Sequence, residues 1–454
     1  MTQAGTTAHQ TPFNLPALFS VLLGVAVITL DISLTSTAVP AIAQGIGSTA
    51  ASTIWIINIY YLAVIAALLP LAALGEIYGH RRVFLAGLAV FALGSLASGL
   101  ASSLPTLMAG RGLLGLGSAA ISATTPALIK HLYPAAKLGR GLGLYAMIVG
   151  IAFALGPTAA SAILSAVEWR WLFLLNAPVA LLAVVLAFKR LPPTERNVRS
   201  FDAVSALLCA GMFACLLYGI AGMAHLGWRH VIPAFIAAAA CAYWLRRRES
   251  GLAAPILAVD LFRIRLFTLS SATAVCAFAI QGLVFVVLPF LFQFKLGYSQ
   301  VEAGFLITPW PVTLAIMTLV AAPLSERITP GVLGGLGLLI VAAGLVSLAT
   351  IPDAAGPFDI AWRLVLCGVG FGFFQSPNMV AMMSSAPRDR SGGAGGILAA
   401  SRLLGQSVGA AAVAFCLSAW PEEGIEAAIW FGTILAVVGS SISLSRVLPF
   451  ARRP

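Results

Sequence analysis

The sequence predicts an all-α membrane protein that crosses the bilayer fourteen times. Of the 454 residues, 60% are hydrophobic and only 9% are charged, and the mean hydropathy is +0.99. Soluble domains have about 25% charged residues. The apolar residues recur in runs of about 20 to 25, each long enough to cross roughly 30 Å of hydrocarbon as a helix. A helix is required because it satisfies its own backbone hydrogen bonds in lipid.

This composition excludes soluble enzymes, disordered proteins and secreted domains. The net charge of +11 does not indicate a nucleic-acid partner, because the basic residues form short clusters between the apolar runs. The six cysteines lie within apolar runs and have no metal-ligand or CxxC spacing, so we interpret them as small core residues and predict no metal site. The first apolar run is too long for a cleavable signal.

The predicted spans follow the chain in the order six, two, six. Each is an apolar run bounded by polar or turn-forming residues: 15–43, 51–72, 83–103, 105–129, 141–165, 170–188, 203–222, 229–245, 267–292, 302–324, 331–351, 360–383, 394–419 and 425–447. We therefore predict an N-terminal six-helix bundle at 15–188, two inserted helices with cytoplasmic linkers at 189–266, and a C-terminal six-helix bundle at 267–447. Residues 1–14 and 448–454 are predicted to be cytoplasmic tails.

The charges of the loops predict that both ends of the chain are cytoplasmic. With the N-terminus inside, the cytoplasmic loops and tail hold 20 Lys and Arg residues, whereas the outer loops hold three. Cytoplasmic loops of membrane proteins carry this excess of positive charge. The expected location is the cell membrane, as a multi-pass protein.

A weak internal repeat links the two predicted bundles. The aligned positions share an offset of about 250 residues: Pro40 with Pro289, Gly47 with Gly297, 72–76 with 322–326, Arg111 with Arg363, and Pro126 with Pro377. Six spans occupy a shorter length than this offset, and the two inserted spans account for the difference. Repeated bundles with a binding site between them are typical of secondary transporters.

One acidic residue, Asp31, is placed deep within a span. An ionised carboxylate at this depth is costly, so it should face the bundle interior or a water-filled cavity. Such a group can take up and release a proton during a transport cycle, and the alternative is a permanent structural pair with an arginine. Arg111 in the fourth span is the expected partner, although its side chain could instead reach the outer interface.

Polar and aromatic residues in other spans are candidates for lining a substrate cavity together with Asp31. They are Asn58, Tyr61, Gln281, Phe285, Gln375 and Asn378. The alternative for each is a contact between helices, and we expect only a minority to touch substrate. Arg402, near the cytoplasmic end of its predicted span, is interpreted as an interfacial or packing residue.

Two segments are candidates for conformational gating. After the second span, Glu76, the Gly79 turn and Arg81 can form an interhelical charge clamp, or they are an ordinary basic cytoplasmic loop. In the fifth span, small or helix-bending residues stand at Gly143, Gly156 and Pro157. These allow close helix approach and a kink, which serve either a hinge or ordinary membrane packing.

At these residues the chain resembles the major facilitator superfamily and, within it, the fourteen-span drug:proton antiporters. The stretch 30–40 is similar to that family's first-span signature, 72–82 to the superfamily's loop signature, and Arg111 to the arginine of the fourth-span signature. The most specific match is 169–178, with the sequence WRWLFLLNAP. The resemblance covers nearly the whole chain.

The resemblance implies a major facilitator fold and a proton-coupled antiporter that exports lipophilic, cationic drugs or antiseptics by alternating access. Asp31 would be the protonation and drug-coupling residue, Arg111 would adjust its protonation, and the pair Gly156–Pro157 would form part of a hinge. The implied partners are small-molecule substrates, protons and the lipid bilayer. No cofactor is expected, because the proton motive force is the energy source, and a monomer is expected.

Three alternatives stay open. The same fold could export one endogenous metabolite or a siderophore, or it could import substrate by proton symport, although the fifth-span resemblance argues against import. A polytopic membrane enzyme would need a cluster of catalytic residues at one membrane face. The five histidines are scattered along the chain, so no enzyme is predicted.

Overall fold

The computed structural model describes residues 15–133, 138–194, 202–223, 227–249, 259–325, 327–387 and 391–447. Within these ranges there is no β-strand, which agrees with the predicted all-α class. The long helices are α1 (Leu15–Ile46), α2 (Trp55–Tyr78), α3 (His80–Gly99), α4 (Leu104–Leu132), α5 (Leu138–Ala166), α6 (Asn176–Arg190), α7 (Ala203–Gly222), α8 (Trp228–Glu249), α9 (Arg265–Phe290), α10 (Gln300–Ile307 and Pro309–Leu324), α11 (Pro330–Ala349), α12 (Pro357–Ser385), α13 (Ser391–Ala419) and α14 (Gly424–Leu444).

Thirteen of the helices in the described ranges are long and apolar enough to cross a membrane. The fourteenth, α8, has 22 residues, but Arg229 and His230 at one end and Arg246–Arg248 at the other dilute its apolar stretch. The predicted tenth span is broken between Ile307 and Pro309, since proline cannot donate the helical hydrogen bond. The prediction of a polytopic helical protein is confirmed.

The two halves of the chain repeat the same packing. In the first half α3 packs on α4, α2 on α4, α1 on α5 and on α6, and α3 on α6; α9–α14 repeat these five pairs in the same order. The aligned glycines Gly47 and Gly297 have φ of 72° and 70°; Gly47 directly follows α1, and Gly297 lies just after the π-helical turn Leu291–Lys295 that continues α9. The repeat seen in the sequence therefore corresponds to a repeated six-helix bundle.

The inserted helices cover one of the two seams between the bundles. The helix α7 packs on α8, on α2 of the first bundle and on α13 of the second. Ile65, Cys209, Phe213 and Ala400 belong to one apolar cluster at this seam. The inserted pair is thus built into the contact between the bundles, a role that the sequence did not indicate.

An ion pair on the predicted cytoplasmic side joins the two inserted helices. Asp202 caps the N-terminus of α7 by accepting a hydrogen bond from the backbone N–H of Ser205, and its carboxylate lies 3.0 Å from Nε of Arg248. The guanidinium of Arg248, together with the bonds from Ser205, holds the pKa of Asp202 well below its usual range. The carboxylate therefore stays ionised throughout the physiological pH range.

Candidate functional site

A buried ion pair occupies the interior of the first bundle. Asp31 lies at the middle of α1, and its Oδ2 is 2.6 Å from a terminal guanidinium nitrogen of Arg111 on α4. The two side chains are 1% and 0% exposed. The expected contact between the two residues is present, and removing either partner would leave an uncompensated charge in a site without water contact.

Asn176 completes the surroundings of the carboxylate. Its Nδ2 donates to Oδ1 of Asp31 at 3.0 Å, so both oxygens of Asp31 have a partner. Sequence reasoning did not assign Asn176 to the site. The signal was nonetheless present, because Asn176 belongs to the stretch 169–178 that carries the most specific family match.

Aromatic rings and a backbone carbonyl hold the guanidinium. The Nε of Arg111 donates to the carbonyl of Ile56, and its Cζ lies 4.6 Å from the ring centroid of Tyr60 and 5.6 Å from that of Phe173. One terminal nitrogen of Arg111 has no partner among the described residues. These contacts do not involve the carboxylate, so they hold the guanidinium independently of Asp31.

The helices α1 and α5 are joined at the Gly-Pro pair. Pro157 has no N–H, so the carbonyl of Phe153, four residues earlier, lacks its helical donor. The hydroxyl of Ser33 on α1 donates to that carbonyl at 2.9 Å. A Cβ at Gly156 would overlap the Ser33 side chain, so this close approach requires glycine. Both predicted gating residues thus lie where α5 contacts α1, two residues from Asp31.

The same segment of α5 forms a contact between the bundles. The hydroxyls of Thr158 and Thr308 are 2.8 Å apart, and Gly304 of α10 packs against the carbonyl of Pro157. The ring of Phe285 on α9 lies 4.8 Å from that of Phe153, measured between centroids. Phe285 is therefore at the interface between the bundles.

Gly143, the third predicted gating residue in this span, lies in α5 at a position whose surroundings fall outside the described residues.

The loop between α2 and α3 makes a different contact from the predicted clamp. Gly79 has φ 94° and lies in the tight turn between the helices. A terminal nitrogen of Arg81 donates at 2.7 Å to the carbonyl of Phe188, in the last turn of α6, where helix carbonyls attract cations. Glu76 is exposed and forms no ion pair with a described residue, so its role in a clamp stays a prediction.

The other predicted substrate residues are dispersed over both bundles. Gln281 accepts a hydrogen bond from Gln406 at 3.0 Å, and Asn378 donates to the carbonyl of Ser270 at 3.2 Å. In this conformation both residues contact a neighbouring helix, which was the alternative to lining a substrate cavity. Asn58 and Gln375 have buried polar atoms without a hydrogen-bond partner among the described residues. The ring of Tyr61 packs edge-on against that of Tyr60.

Arg402 lies on α13, where its guanidinium packs on an aromatic ring. The helix α13 begins at Ser391, so Arg402 is about 16 Å along it, within one turn of its middle. Its Cζ lies 5.7 Å from the ring centroid of Phe278 on α9, and α13 packs on α2 of the first bundle. Arg402 thus lies on a helix that contacts the opposite bundle, and its contact with Phe278 fits the expected packing role.

Comparison with known proteins identifies the family. Residues 21–410 match the model of the Major Facilitator Superfamily. The chain is 42% identical over 439 residues to YebQ, an uncharacterized transporter of Escherichia coli K12, covering 96% of both. It is 32% identical to the tetracenomycin C resistance and export protein of Streptomyces glaucescens, covering 91% of this chain and 78% of that one. It is 27% identical to the riboflavin transporter RibZ of Clostridioides difficile, covering 87% and 86%.

A solved structure supports the same fold. A bacterial homologue of the human lysosomal transporter Spinster, in an inward-facing and occupied conformation, superposes with a TM-score of 0.72 at 15% identity, covering 96% of this chain and 98% of that chain. The relatives are transporters rather than enzymes, and the predicted fold, the cell-membrane location and the resemblance to drug:proton antiporters are confirmed. The chain belongs to the Major Facilitator Superfamily and is a multi-pass membrane transporter.

Proposed function

We propose that this transporter is a proton-coupled antiporter that exports lipophilic drugs or antiseptics by alternating access. The observation that carries the proposal is the buried carboxylate of Asp31, held by Arg111 and Asn176 in the middle of a transmembrane helix. Acids at such positions are typical of proton relays in transporters. The relative named for tetracenomycin C resistance and export supports the substrate class.

Protonation of Asp31 from the outside removes its charge and weakens the 2.6 Å contact with Arg111. Arg111 remains bound to the Ile56 carbonyl and stacked on Tyr60, so the movement falls on α1. Release of the proton to the inside restores the ion pair. One proton exchange thereby switches a single contact between α1 and α4.

The contacts of Ser33 connect this switch to the interface between the bundles. Ser33 bonds the Phe153 carbonyl of α5, and α5 contacts α10 through Thr158 and Thr308. A shift of α1 therefore reaches the seam that must open and close during alternating access.

The energy of one proton is sufficient for a useful drug gradient. A charge moving down a potential of 100 mV releases about 2.3 kcal/mol. Since a tenfold concentration ratio corresponds to about 1.4 kcal/mol, one proton per neutral molecule supports roughly a 40-fold gradient.

The substrate's charge is a separate question from the coupling. The expected preference for cations required that Asp31 be open to the substrate. In this conformation both of its oxygens are bonded and its side chain is 1% exposed. The proposal therefore specifies that the substrate is lipophilic and does not specify its charge.

The test uses everted membrane vesicles with an imposed pH gradient, to which lipophilic compounds of each charge type are added. We expect dissipation of the gradient by substrates with the native chain and none with Asp31→Asn. The matched control is Asp353→Asn, which removes an exposed carboxylate in an outer loop and should leave transport unchanged. Asp31→Asn vesicles that still exchange protons for drug at the native rate would refute the assignment.

A second candidate is export of one endogenous metabolite by the same coupling. The similarity to a protein named as a riboflavin transporter favours it. In the vesicle assay this candidate predicts no response to a broad drug panel and a response to a single compound class in a metabolite extract.

A further inference from the structure

Few charged side chains lie away from the ends of the described helices, and one of these few lacks a charged partner. Asp31 and Arg111 neutralise each other, and Arg363 pairs with Asp359 in its own helix at 3.1 Å. Lys295 pairs with Glu426 near the outer ends of α9 and α14. Arg402, at the middle of α13, forms no ion pair and no hydrogen bond with the described part of the chain.

The surroundings of Arg402 are aromatic rather than acidic. Phe278 of α9 lies beneath its guanidinium, and α13 packs on α2 of the opposite bundle. The side chain is half-buried, and its nitrogens are not among the polar atoms that are fully enclosed without a partner. The guanidinium is therefore accessible at the interface where a transported molecule must pass.

A cation within a membrane helix faces either a water-filled cavity or a partner, so an accessible arginine at the interface between the bundles is free to bind an anionic group. Guanidinium binds oxyanions through two parallel hydrogen bonds to two oxygens of one group, and a carboxylate or a sulfonate offers such a pair of oxygens. The carboxylate of Asp31 does not serve, because Arg111 and Asn176 already occupy it. The described residues thus offer no carboxylate to Arg402, and an anionic group of a transported compound can take that place.

We propose that Arg402 binds an anionic group of the exported compound, so that the preferred substrates are lipophilic anions with an aromatic body. The inference rests on the proposed export function and names its substrate class. The ring of Phe278 would contact the apolar part of the same molecule. A lipophilic cation would instead meet an uncompensated positive charge at this interface.

The test compares three probes that share one naphthalene scaffold and carry a sulfonate, a neutral methyl sulfone or a trimethylammonium group. Their accumulation in everted vesicles is measured with the native chain, Arg402→Gln, Arg402→Lys and the exposed-site control Arg229→Gln. We expect the native chain to accumulate the sulfonate most. Arg402→Gln should lower sulfonate accumulation about 10- to 100-fold, the effect of one charge-assisted hydrogen-bonded contact, and leave the sulfone within twofold.

The neutral sulfone reports folding within each variant, and Arg402→Lys should retain the order sulfonate above cation. Preferential accumulation of the cation by the native chain overturns the inference and leaves proton-coupled export standing. An equal loss of all three probes in Arg402→Gln also overturns it, because that result is the signature of a structural role. Accumulation of none of the probes by the native chain, with no pH-gradient response to the wider panel, removes the proposed function as well.

Discussion

The hydroxyl of Ser33 should stabilise the fold only because Pro157 leaves a carbonyl without a donor. Replacing Ser33 by alanine removes the 2.9 Å bond to the Phe153 carbonyl. A buried carbonyl left unpaired costs about 1–3 kcal/mol in water-soluble proteins, and interhelical hydrogen bonds in membranes contribute about 0.6 kcal/mol on average, with a maximum near 1.7. We therefore expect Ser33→Ala to lower the free energy of unfolding by about 1 kcal/mol.

The same substitution should have little effect in a Pro157→Ala background. Alanine at 157 restores the N–H that bonds the carbonyl four residues earlier, so Ser33 is no longer needed there. The coupling energy of the double-mutant cycle is then expected to be close to the full effect of Ser33→Ala, about 1 kcal/mol. It is measured by reversible unfolding in mixed micelles.

Ser36→Ala provides the matched control. Ser36 lies on the same helix, is equally buried, and bonds the carbonyl of Ile32 within its own helix at 2.8 Å. Its removal should not couple to Pro157→Ala. If Ser33→Ala costs the same in both backgrounds, the link between α1 and α5 described here is wrong.

Three further predictions concern packing, the ion pair and the inserted helices. Gly156→Val should lower stability by about 1–3 kcal/mol and abolish transport, whereas Gly150→Val, which meets open space, should do neither. Arg111→Gln alone should cost about 3–5 kcal/mol, and adding Asp31→Asn should recover much of that loss in the same unfolding assay, although not transport. Because the pKa of Asp202 is lowered in the folded state, its ion pair stabilises the protein at neutral pH and the contribution fades below about pH 4. Asp202→Asn should therefore be less stable than the native chain by at most about 1 kcal/mol at pH 7, and this deficit should shrink as the pH falls from about 4 toward the lowered pKa of the folded state, as measured by pH-dependent unfolding.

The helices and the central ion pair could be predicted because both follow from the cost of lipid contact. An apolar run of 20 residues has few alternatives to a transmembrane helix, and an acid as deep as Asp31 requires a cation. Few arginines lie within predicted spans, so Arg111 was identifiable as its partner.

The remaining contacts depend on how helices rotate against one another, which periodicity does not reveal. Ser33 and Phe153 are 120 residues apart, and nothing near Pro157 in the sequence points to α1. The aromatic contact of Arg402 could not be predicted because Phe278 lies on a different helix. For Gln281 and Asn378, the residue types fit a cavity wall and a helix contact equally well.

The position of α7 makes the transporter asymmetric toward its lipid surroundings. Its contact with α2 and α13 covers one seam with a third apolar helix, whereas no inserted helix packs on α5 or α10 within the described chain. A compound dissolved in the bilayer therefore meets a thickened wall on one flank and a two-helix junction on the other. The path from the lipid to the interface between the bundles is therefore covered by fewer helices at the flank formed by α5 and α10. The two flanks of the protein that face the lipid therefore differ in the number of helices that cover the interface between the bundles.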